Sequence, residues 1–161
     1  MDKIDKIIKQ WNTERPDLDV TAMSLIGRVK RVNGHLTKGM GETFAKHNLN
    51  LASFDVLATL RRSGSPFALS PNELLQTMMV TSGTMTNRID QLVKVGLVER
   101  LTNPKDGRGF IISLTDTGMQ VIDQTVTEHV QTQAELIKGL SSDEQQQLNR
   151  LLQKFLANFE G

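Results

Sequence analysis

Between Ser70 and Leu114 the chain carries start and stop signals too closely spaced for long helices or a large sheet. S-P-N-E-L-L combines an N-cap serine (Ser70), a proline at the first helical position (Pro71) and a glutamate at the third (Glu73). Those residues satisfy the orphan N–H groups of a helix start and fix its first φ. T-S-G-T-M-T-N-R-I-D-Q-L-V-K-V-G opens a second helix, with Thr81 or Ser82 as cap and Gly96 as stop. L-V-E-R-L-T and G-F-I-I-S-L-T then read as short strands joined by the turn-rich N-P-K-D-G-R. Upstream, Asn50 caps a helix whose body, L-A-S-F-D-V-L-A-T-L, ends in R-R-S-G.

Helix, helix, helix, hairpin is the order of a winged helix-turn-helix, so the expected fold class is mainly α with a small β-hairpin wing. The flanks are helical. Ile4, Ile7, Ile8 and Trp11 recur as one stripe of a short helix that Pro16 ends at or before Arg15, which aims the only tryptophan where the isoleucines point. Asp19 can cap a longer helix running from about Val20 to Lys46, interrupted in composition by N-G-H and K-G-M-G. After L-T-D-T-G a helix runs to about Lys138, and Ser141 with Glu144 can open the last one. That last helix carries Leu148, Leu151, Leu152, Phe155, Leu156 and Phe159 on one stripe. A long apolar terminal stripe suits a partner copy, with intramolecular packing as the alternative. The expected division is 1–48 for the N-terminal helices, 49–114 for the winged helix-turn-helix and 115–161 for the C-terminal dimerisation helices.

Composition excludes more than it selects. With no cysteine, disulfides, thiolate metal sites and thiol redox sensing are ruled out. His35, His47 and His129 lack metal-ligand spacing, and no nucleophile elbow, glycine-rich phosphate loop or carboxylate dyad appears, so neither an enzyme nor a cofactor or metal is expected. No apolar run approaches a membrane span or a signal core, and a cytoplasmic protein is the expectation. The net charge of +1 hides an asymmetry: residues 1–110 carry 16 Lys/Arg against 11 Asp/Glu, and residues 111–161 carry 3 against 7. A basic front and an acidic tail suit a phosphate-facing part joined to an assembly part.

On a helical wheel the helix from Ser82 buries Met85, Ile89, Leu92 and Val93 and turns Gly83, Thr84, Asn87, Gln91 and Lys94 outward. A small polar face of this kind either is solvated or enters a DNA major groove, where Asn and Gln suit adenine and Thr suits a thymine methyl or a phosphate. The hairpin favours DNA, because Arg108 stands at a tip made of Asp106, Gly107 and Gly109, able to reach a minor groove while Asp106 holds its guanidinium. The DNA-facing set is Ser70, Ser82, Gly83, Thr84, Thr86, Asn87, Gln91, Lys105, Asp106 and Arg108.

The sequence of L-S-P-N-E-L, T-S-G-T-M-T-N-R-I-D-Q-L-V-K-V-G-L-V-E-R, D-G-R-G-F and I-S-L-T-D-T-G resembles the MarR family of bacterial transcription regulators, from about Asp19 to the C-terminus. The resemblance implies a homodimer in which each subunit supplies one winged helix and the terminal helices make the interface. Its DNA partner would be a double-stranded, pseudo-palindromic operator. One departure is Asn87, where many members have arginine. Within the family, W-N-T-E-R-P-D-L-D resembles the preamble of the urate-responsive, PecS-type branch. The site implied by that branch maps to Trp11, Asp55 in F-D-V-L, Arg88 in T-N-R-I-D and Arg100 in V-E-R-L. The wheel puts Arg88 at the flank of the buried stripe, where its charge needs a partner such as Asp55. A planar anion stacked on Trp11 could compete with Asp55 for that guanidinium. The alternatives are an ion pair plus a core tryptophan, a site for another phenolic or aromatic ligand, and a winged helix that binds protein rather than DNA.

Overall fold

The computed structural model describes residues 1–79, 85–103, 107, 109 and 110–160. It divides into two compact units, Met1–Gly39 and Met40–Gly161. In order, the elements are α1 (Lys3–Glu14), α2 (Thr21–Lys46), α3 (Leu51–Arg62), β1 (Ala68–Leu69), α4 (Pro71–Thr77), α5 (Met85–Lys94), β2 (Val98–Thr102), β3 (Phe110–Leu114), α6 (Asp116–Ile137) and α7 (Ser142–Glu160). The mainly helical class with a small sheet is as the sequence predicts. Among the described residues no helix is long and apolar enough to cross a membrane, and no cluster of His, Asp or Glu could hold a metal ion.

In the first unit, Asp2 caps α1 and forms a capping box with Asp5, satisfying donors at both ends of the first turn. Ile4 is the only residue of α1 that is buried, and a Cβ added at Gly27 of α2 would lie 3.0 Å from its Cδ1. The missing side chain at Gly27 lets the two helices approach. Arg28 fixes the same juncture: its Nε donates to Asp2 Oδ2 at 2.9 Å, and its two Nη atoms reach Ser24 and Asp5. Ile8 is half-buried, but Ile7 and Trp11 are exposed at 42% and 41%. The single stripe therefore splits. The helix ends at Glu14, ahead of Pro16, and Asp19 Oδ1 accepts from Thr21 N to begin α2.

The second unit is built around α3. Asn50 caps it, and Phe54, Val56, Leu57 and Leu60 are buried along it with Leu74 of α4, Ile89 and Leu92 of α5, Ile112 of β3 and Ile122 of α6. Phe44, near the end of α2, stacks on Phe54 at 4.3 Å, and His129 of α6 lies against both rings. Burial there lowers the pKa of the His129 imidazole from its ordinary value, which favours the neutral ring. The three strands are antiparallel in the order β1-β3-β2, with Ala68 opposite Ser113 and Arg100 opposite Ile112. The two-residue strand β1 was not foreseen from the sequence. Val98 and Ile112 to Leu114 root the hairpin in the core, whereas Glu99 to Thr102 and Phe110 are exposed. That gradient makes the hairpin a wing: buried at its base, open towards its tip.

Candidate nucleic-acid interface and anion site

Helix α5 is oriented by its apolar stripe. Met85, Ile89 and Leu92 are buried and Val93 is half-buried, so Thr86, Asn87, Gln91 and Lys94 face outward. Its end is fixed by Gly96, whose φ of 73° is a left-handed conformation that favours glycine, and by Leu97 N donating to Leu92 O at 3.0 Å. The α4 start is equally well defined: Ser70 Oγ accepts from Glu73 N, and Glu73 Oε2 accepts from Ser70 N and Ser70 Oγ. Ser70 is therefore a cap first, and any phosphate contact must share its hydroxyl. Of the other DNA-facing candidates, Ser82, Gly83, Thr84, Lys105, Asp106 and Arg108 lie outside the described residues.

Three of the four anion-site candidates belong to neighbouring elements of the second unit. Asp55 is 5% exposed on α3. Arg88 is half-buried on α5, and its Nη1 donates to Asn50 Oδ1 at 3.1 Å. The same Asn50 oxygen accepts from Ser53 N at 2.9 Å as the cap of α3. Arg88 Nε is buried and, among the described residues, has no hydrogen-bond partner. A buried donor left unpaired costs about 1–3 kcal/mol, so an acceptor arriving there is favoured. Arg100, on β2, donates to Asp90 of α5 and lies over the Phe110 ring at 5.4 Å. Its charge is thus engaged by α5 and β3. Trp11 belongs to the first unit and is 41% exposed.

Sequence reasoning missed Asn50 as a partner of Arg88, and Asp90 and Phe110 as partners of Arg100. Asn50 reads from sequence only as a cap, because a capping oxygen's second lone pair leaves no pattern. Asp90 was within reach of the wheel, being two positions after Arg88, but its partner comes from a strand whose register the sequence does not give.

A helix with an outward polar face, preceded by a capped helix and followed by a hairpin rooted beside it, defines a winged-helix DNA-binding protein. Known proteins give the class its family. The MarR family profile matches residues 47–109. Over 97% of this chain and 96% of its own length, the HTH-type transcriptional regulator PecS of Dickeya dadantii is 37% identical. A structure of an Escherichia coli MarR variant complexed with operator DNA superposes with a TM-score of 0.72 at 31% identity, covering 91% of this chain and 97% of that one. BpsR of Bordetella bronchiseptica, whose DNA binding is regulated by 6-hydroxynicotinic acid, superposes with a TM-score of 0.70, covering 80% of this chain and 90% of that one. At 23% identity it bears on the fold alone. The chain belongs to the MarR family. It is a transcription regulator and not an enzyme.

Proposed function

We propose that the protein is a homodimeric repressor that binds a pseudo-palindromic operator and is released from it by urate or a closely related aromatic anion in the cytoplasm. The observation that carries the anion response is the buried Nε of Arg88 on the flank of α5, a cationic donor with no hydrogen-bond partner among the described residues. An anion drawn to it acts on the element that carries Thr86 and Asn87. In this reading Thr86, Asn87 and Gln91 read bases together with Ser82, Gly83 and Thr84, while Ser70, Lys105, Asp106 and Arg108 set the phosphate and minor-groove contacts. Asp55, Arg88 and Arg100 take the anion: the arginines by charge-assisted hydrogen bonds, and Asp55 as the carboxylate it competes with.

Support comes from the likeness to PecS over nearly the whole chain and from the operator complex of E. coli MarR. A tenfold loss of operator affinity needs only about 1.4 kcal/mol of coupling, within the range of one rearranged charge pair. The test is a mobility-shift titration of the protein on the DNA upstream of its own gene, with and without urate, repeated with Asp55→Asn. Release by urate with an altered dose response in the variant is the expected result. An operator that urate never releases would overturn the urate reading, and an unchanged variant would remove the exchange at Asp55.

A further inference from the structure

We infer that Asn50 is a positioning residue for the anion: it holds Arg88 by Nη1 so that the Nε edge of the guanidinium is the receiving edge. The inference rests on the anion-responsive reading above and names the chemistry that edge accepts. The orientation of the Asn50 amide follows from its capping role. Ser53 N must meet an acceptor, so Oδ1 faces the start of α3, and Arg88, which has only donors, must use that same oxygen. One oxygen with two lone pairs serves both. Nη1 is then committed to α3, and Nε is left buried with no hydrogen-bond partner among the described residues.

A guanidinium edge offers two parallel N–H donors, and the group that matches it presents two adjacent acceptors in one plane. Carboxylates have that geometry, and so does the ring-nitrogen and carbonyl-oxygen edge of an oxopurine monoanion. A ligand with one acceptor, such as a simple phenolate, fills half of the edge and gains less. Asn50 therefore does two things with one atom: it starts the helix that carries Asp55, and it fixes in advance the arginine that meets the ligand. Holding the group before the ligand arrives removes part of the ordering cost of binding.

The experiment separates the cap from the positioning role. Serine caps helices as well as asparagine but has a side chain too short to share with Arg88, so Asn50→Ser keeps the start of α3 and frees the guanidinium. Isothermal titration of the full-length protein with urate, and separately with benzoate, is run on wild type, Asn50→Ser, Arg88→Lys and the double variant. Lysine keeps the charge and lacks the two-donor edge. Asn50→Ser is expected to weaken binding about tenfold, the scale of one charge-assisted hydrogen bond, with a melting temperature within about 2 °C of wild type. In the Arg88→Lys background the same change should have no further effect, whereas a purely structural loss would add. Wild-type affinity in Asn50→Ser, or an undiminished loss on top of Arg88→Lys, would overturn the inference while the anion reading stands. Failure of both anions to bind wild type would overturn the anion reading and the inference together.

Discussion

At Gly118 the backbone of α6 runs so close to the start of β2 that an added Cβ would sit 1.9 Å from Leu97 O. Two hydrogen bonds hold that approach: Thr115 N donates to Leu97 O at 3.2 Å and Thr115 Oγ1 donates to Gly96 O at 2.7 Å. The backbone oxygen cannot move aside without breaking the turn that ends α5. Gly118→Ala should therefore destabilise the protein by about 3 kcal/mol, the upper part of the range for overpacking. Thermal unfolding followed by circular dichroism checks it, with an expected fall of roughly 10 °C. A variant that melts like wild type would mean that α6 starts elsewhere. This glycine was legible only as part of L-T-D-T-G, a helix start. Its reason for being glycine depends on a backbone 21 residues earlier, which no local pattern encodes.

Element by element, signals that act within a helix were readable and signals that depend on a partner were not. The caps Asn50, Ser70 and Ser141 and the stop at Gly96 appear where the sequence puts them, since each satisfies donors or φ within a few residues. Strand β1 has two residues and no periodicity; it exists because Ala68 and Leu69 find Ser113 and Ile112. The stripe of α1 gave the angle of Trp11 but not the width of the surface it meets, and α2 covers the side of Ile4 only. A 12-residue helix is marginal alone, so α1 depends on its docking. With one buried residue, much of that docking falls to Arg28, Asp2 and Asp5. Arg28→Ala should cut hydrogen-exchange protection across residues 3–14 by about tenfold while α3 to α6 keep theirs. Unchanged protection in α1 would leave Ile4 and Gly27 as the whole of the attachment.

For the molecule as a whole, the question is what covers its terminal helices. No residue of α7 is buried, and Leu148, Leu151, Leu152, Leu156 and Phe159 are between 44% and 72% exposed on one stripe. In the other unit Leu25, Ile26, Val29 and Val32 of α2 are exposed too. Soluble monomers rarely leave contiguous apolar stripes of this kind open, and a second copy is the cover that closed symmetry offers most often. Assembly then bears directly on recognition. In the proposed homodimer, two recognition helices fixed in one particle would meet two half-sites about 10 bp apart, or a small multiple, so the second contact would be made at high effective concentration. Replacing Leu151 and Leu152 together by glutamate puts two charges on the stripe and should give a folded monomer by sedimentation. Its operator affinity should fall about a hundredfold, because each winged helix then binds alone. The residual binding should show a shallower dependence on salt, since fewer phosphates are neutralised per particle. A wild-type chain that sediments as a monomer, or a monomeric variant that holds the operator as tightly as wild type, would break the link between the stripe and the operator.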